Sequence, residues 1–87
     1  MRVTYHAAER FLQRVIKKIN FTEDEIYKTI TYLEKVLDDI VLTSYGRPFP
    51  LPGFENQFKV ITLENTAITI IPKDKKYKKW FYLYKYV

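Results

Sequence analysis

"RVTYHAAERFLQRV", residues 2–15, changes its period partway along, and the point of change decides the fold. "RVTY" alternates and is β-branched enough to begin as a strand, whereas from His6 onward apolar residues return at helical spacing. Placed at 100° per residue, Ala8, Phe11, Leu12, Val15, Ile16 and Ile19 fall within an arc of about 140°, the width of a packed helix face. His6, Arg10, Gln13, Arg14 and Lys17 fall on the opposite side.

A second helix follows in "NFTEDEIYKTITYLEKVLDDIVLTSYG", residues 20–46. Thr22 and Glu25 make a capping box, and Glu23, Asp24 and Glu25 fill the first turn, where the helix dipole favours acids. Ile26, Ile30, Leu33, Val36, Leu37 and Ile40 recur at helical spacing and Gly46 marks the stop region, which predicts a helix over about 23–42. "GRPFPLPGFEN" (46–56) holds three of the four prolines and both glycines, so it reads as an extended connection too short to link domains. Beyond it "QFKVITL", "AITII" and "KWFYLYKYV" are rich in β-formers and predict a three-stranded antiparallel meander, with "EN" and the lysine-rich "PKDKKYKK" as turns. The predicted order is β-α-α-β-β-β. Residues 1–87 then form one two-layer α+β domain, with two N-terminal helices packed on an antiparallel sheet that the first strand joins at an edge.

Composition narrows the function classes. The 87 residues are 47% apolar and 17% aromatic, which suits one compact core rather than a disordered chain. The absence of cysteine excludes a disulfide, a thiolate metal site and a cysteine nucleophile, and fits a reducing compartment. No signal-peptide core and no apolar run of the ~20 residues needed to span a bilayer is present, so the expectation is a soluble, cytoplasmic protein. The net charge of +5 is uneven. Residues 1–20 carry +4, residues 21–45 carry −4 and residues 46–87 carry +5. Two basic ends around an acidic middle predict a face for a polyanion if the fold brings the ends together.

His6 is the only histidine. With Thr4 as cap it lies in the first helical turn, where the macrodipole and Arg10 disfavour imidazolium while Glu9 opposes them. The expectation is a neutral imidazole at pH 7, able to act as a general base. A helix N-terminus binds phosphate, and Arg10 and Arg14 would stand on the same flank. A base beside a phosphate cradle is what RNA transesterification needs: removal of the 2'-hydroxyl proton, guanidinium stabilisation of the pentacovalent phosphorus, and protonation of the leaving 5'-oxygen. No metal or cofactor is called for. A solvated polar helix face is the competing reading of the same stripe.

Elsewhere, Lys73, Lys75, Lys76, Lys78 and Lys79 form a basic tip that either contacts a nucleic-acid backbone or is a solvated hairpin end resisting edge-to-edge aggregation. Trp80, Tyr82, Tyr84 and Tyr86 share one face of the last predicted strand, suited to base stacking or to core packing. Glu23, Asp24 and Glu25, like Asp38 and Asp39, are explained by helix position rather than metal binding, because adjacent helical residues point apart. There is no glycine-rich phosphate loop and no nucleophile elbow.

"HAAERFLQRV", a second helix, the loop "GRPFPLPG" and a terminal meander together resemble the RelE/ParE-like toxins and the wider barnase, EndoU, colicin and RelE-like ribonuclease superfamily. The pattern of His6, Ala7, Arg10 and Arg14 is similar to its His-headed phage and polymorphic-toxin branch. As layout the resemblance covers nearly the whole chain; as sequence it covers the opening helix. It implies metal-independent RNA cleavage, often of messenger RNA on the ribosome, with no cofactor and with a neutralising antitoxin as partner. The site it implies joins His6 as base, Arg10 and Arg14 as phosphate binders and Lys59 as transition-state support, with Lys17 and the lysine tip holding RNA. The chain departs from the family's pattern in lacking a second histidine and any arginine after Arg47, and ParE-like relatives act on gyrase without ribonuclease chemistry. Two other functions fit the same residues: a non-enzymatic viral or mobile-element module binding nucleic acid or protein through its basic surface, and a protein-directed inhibitor docking through its acidic second helix.

Overall fold

A computed structural model describes residues 1–40 and 48–75. In chain order they form β1 (Arg2–Val3), α1 (Tyr5–Arg10) continued by five residues of π-helix (Phe11–Val15), α2 (Glu23–Val36), β2 (Phe49–Pro50), β3 (Phe58–Leu63) and β4 (Thr66–Pro72). The α+β class is as the sequence predicts, while the order of elements differs in detail, because a strand at Phe49–Pro50 precedes the two predicted strands of the hairpin. The composition of the sheet differs. Its strands lie in the order β1-β4-β3-β2, with β1 parallel to β4 and the other pairs antiparallel, so it is mixed. The chain leaves β1 through the helices and returns to β4 running the same way. β2 comes out of the proline-rich stretch, predicted only as a connection; its extended backbone pairs Phe49 with Val60 and Pro50 with Lys59. The predicted strand 79–87 lies outside the described residues.

Thr4 performs the change of period. Its amide donates to the Ala67 carbonyl (3.0 Å), extending the pairing of β1 with β4, and its Oγ1 accepts from the Ala7 amide (3.0 Å) as cap of α1. Helix α1 then buries Ala7 and Ala8 completely. Ala7 packs with Phe11, Leu33, Leu37, Leu51, Val60 and Ile70 between helices and sheet, and Ala8 packs with Leu12 and Ile26 between α1 and α2.

The apolar arc predicted for the first helix does not run to Ile19. Beyond Arg10 the hydrogen bonds lengthen in sequence, Ile16 N–H reaching the Phe11 carbonyl (3.1 Å) and Lys18 N–H the Leu12 carbonyl (2.9 Å), and Lys17 ends the helix in the left-handed region at φ 61°. Ile16 and Ile19 are therefore 51% and 91% exposed. Arg14 lies two turns beyond the sheet-facing Ala7, and its Nη1 donates to the Ile70 carbonyl (2.6 Å). β1 ends at Val3, so Thr4 and Arg14 together supply donors to β4 carbonyls, Thr4 Oγ1 reaching Ile68 (3.3 Å). The Val3 amide on the other side of β1 donates to Glu34 Oε2 (3.1 Å), which closes that edge with a carboxylate from α2.

Helix α2 opens with the predicted capping box between Thr22 and Glu25. It stops at Val36 rather than near 42, and the chain tightens through turns at 37–39 before the described residues pause at Ile40. Asp38 and Asp39 account for this, being poor helix formers placed at the negative end of the dipole. Strands β3 and β4 join through the two-residue turn Glu64-Asn65, both at positive φ, as in a type I′ hairpin. Ile68 is an extra residue in β4, since the register passes from Ile61↔Thr69 to Thr62↔Ala67. Both faces of this hairpin are buried: Val60 and Ile70 meet the helices, while Ile61 and Ile71 cluster with Ile68 on the other face. No helix among the described residues is long and apolar enough to cross a membrane.

Three outcomes test this account. Arg14→Met removes the donor to a part-buried carbonyl and is expected to cost about 1–3 kcal/mol in urea unfolding. Thr69 is fully buried and its Oγ1 has no hydrogen-bond partner among the described residues, so Thr69→Val is expected to leave stability unchanged or to raise it by about 1 kcal/mol. The hydrogen bond from Lys18, with those from Thr22, holds the Glu25 carboxyl below its ordinary range. A lowered folded-state value means that this contribution is complete above the ordinary carboxylate range and disappears as pH falls through the lowered one. A urea series across acidic pH is expected to show a shallower acid loss in Glu25→Gln.

Candidate functional site

His6 is the second residue of α1, fixed there by the Thr4 cap. Its side chain is 22% exposed and its Nε2 is shielded from solvent, so the ring lies against the protein with its accessible part elsewhere than Nε2. Nδ1 stands 3.8 Å from Glu9 Oε1, one turn along the same helix. A carboxylate in that position stabilises an imidazolium, while the helix N-terminus disfavours one, so the ring sits between two opposed fields. Sequence reasoning counted Glu9 only as an opposing charge; the structure makes it the histidine's immediate neighbour. The i,i+3 spacing was the available signal.

Arg10, one turn beyond His6, is half-buried; its Nη1 donates to Gln13 Oε1 (2.5 Å), and its Nε is shielded with no hydrogen-bond partner among the described residues. It keeps a place on the histidine's flank. Arg14, expected on that flank as a second phosphate binder, instead has its Nη1 on the Ile70 carbonyl. Lys59 is not brought to the histidine either. It pairs with Ile71 and alternates with Val60; since Val60 faces the helices and Ile71 the opposite cluster, Lys59 belongs to the sheet face away from α1.

The expected RNA-holding lysines are placed in part. Lys17 follows three residues after Arg14, and Lys73 three residues after Ile70. The hydrogen bond between Arg14 and Ile70 therefore puts both lysines at one end of the domain, Lys73 separated from the contact by roughly 10 Å of extended chain. Lys17, Lys73 and Lys75 are all exposed and take part in no ion pair among the described residues, unlike Lys18, which pairs with Glu25. Lys76, Lys78 and Lys79 follow directly in sequence and lie outside the described residues, as do Arg47, Trp80, Tyr82, Tyr84, Lys85 and Tyr86.

The site thus comprises a histidine-carboxylate pair and one arginine on α1, with a set of lysines, unpaired among the described residues, where the π-helix and β4 end. Such a pair can move a proton, and such an end can attract phosphates. Comparison of the chain with protein-family models, with curated proteins and with solved structures found no match in any of the three.

Proposed function

We propose that this protein is a metal-independent endoribonuclease of the RelE-like, toxin type. The observation that carries the reading is the pairing of His6 Nδ1 with Glu9 on the first turns of a capped helix, the arrangement of a base whose charged form has a counter-ion waiting. His6 takes the proton of a ribose 2'-hydroxyl at Nδ1, Nε2 being shielded, and the nearby Glu9 carboxylate stabilises the resulting imidazolium. The 2'-oxygen bonds to phosphorus as the bond to the 5'-oxygen breaks, leaving a 2',3'-cyclic phosphate. A second group, an ammonium or a phenol, protonates the departing oxygen.

Arg10 holds the phosphate, while Lys17, Lys73 and Lys75 carry the flanking backbone by charge without choosing sequence. In this reading the substrate is messenger RNA in the cytoplasm, and a toxin of this kind is held in check by an antitoxin protein. Arg14 and Lys59 leave the catalytic set, Arg14 becoming the residue that fixes where the helix meets β4.

That departure favours a second reading, in which the chain is a non-enzymatic module of viral or mobile-element type that binds nucleic acid or a protein partner through its basic end. Incubation of the purified protein with RNA in EDTA decides between them. Cleavage that His6→Ala abolishes, with RNA affinity unchanged, is the outcome expected of the ribonuclease; salt-sensitive binding without cleavage overturns it in favour of the module. Replacing Lys17, Lys73 and Lys75 together with glutamine is expected to reduce the slope of log affinity against log salt by about 2, from about 0.7 per phosphate contact on a single strand.

A further inference from the structure

Away from the basic end, α1 and α2 carry Tyr5, Tyr27 and Glu23, three side chains that the ribonuclease reading does not use. Tyr5 and Tyr27 meet edge to face, with ring centroids 6.0 Å apart and planes at 74°, yet remain 39% and 58% exposed. Each tyrosine has a carboxylate four residues away on its own helix, Glu9 for Tyr5 and Glu23 for Tyr27, so each acid lies one turn from its ring. Burial, together with the charges of Glu23 and Glu9, raises the Tyr5 phenol above its ordinary range, which places both acids within electrostatic reach of one hydroxyl. Asp24 is taken up by Lys28 and Glu25 by Lys18. Glu23 has no ion pair among the described residues, although the chain as a whole is at +5.

An exposed pair of phenol rings beside an unpaired carboxylate has a definite chemical complement. A guanidinium lies flat on an aromatic face and donates through its fork to a carboxylate, which a lysine ammonium does less well on both counts. Glu23, exposed at the start of α2 with no cation paired to it among the described residues, supplies the charge that attracts a basic chain. We infer that Tyr5, Tyr27 and Glu23 form a docking site for an arginine side chain of a basic polypeptide segment. The site is separate from the lysines at the end of β4 and takes a partner of opposite charge.

The test is an NMR titration of the full chain, without RNA, using a blocked tetra-arginine peptide, so its outcome is independent of nuclease activity. Expected are shifts centred on the Tyr5 and Tyr27 rings and the Glu23 amide, at least fivefold weaker binding in Glu23→Gln and in Tyr27→Ala, and at least threefold weaker binding of tetra-lysine. Glu23→Gln keeps the shape of the helix start and guards against a folding effect of the tyrosine variant. Unchanged affinity in both variants, shifts centred elsewhere, or equal affinity for tetra-lysine overturns the inference. So does sedimentation showing a dimer that Tyr27→Ala dissociates, which assigns the face to a second copy of the chain.

Discussion

Thr4 joins the two layers of this domain, and the remaining architecture depends on the hydrogen bonds it makes. Its amide completes the pairing of β1 with β4, its carbonyl accepts from Ala8, and its hydroxyl caps α1 while donating to the bulged Ile68 carbonyl. One residue therefore ends a strand, starts a helix and fixes the angle between them. The angle is tight enough that Ala7 and Ala8 have no exposed surface, and a larger side chain at either position would separate α1 from the sheet or from α2. The place of His6 follows, because it lies two residues from the cap and inherits its orientation.

Much of this fold is legible in the sequence because the local signals agree with one another. The capping box at Thr22 and Glu25, the change of period at His6 and the β-rich runs around the "EN" turn are short-range effects, set by residues that touch their near neighbours. What is not legible depends on distant partners. The pairing of β1 with β4 joins residues more than sixty positions apart, and nothing in "RVTY" names its partner or its direction. The strand in the proline-rich stretch is similar: Phe49 and Pro50 are extended for local reasons, but they form a strand only because β3 offers an edge.

The candidate site divides the same way. Its helical part, with His6 in the first turn and Glu9 and Arg10 on the following one, is a matter of spacing and could be read directly. Arg14 could not, because its partner is a backbone carbonyl of β4, fifty-six positions away in the chain. Nor could the side of Lys59, since alternation gives two faces without saying which one the helices cover until Val60 and Ile70 are seen beneath them. Charge segregation was read as a property of the whole chain; the hydrogen bond between Arg14 and the Ile70 carbonyl gives it a location, because it anchors the segment carrying Lys17 beside the strand leading to Lys73.

The π-helical segment has a consequence for how such a chain can change over time. A π segment of this kind is an α-helix interrupted by wider winding over a single turn. Because the bond from Arg14 to the Ile70 carbonyl is made from within it, the length of the segment, and not only the guanidinium, decides where the first helix meets β4. Such a joint can be lost or gained by deletion or insertion of one codon, with no substitution at the residues that make the contact.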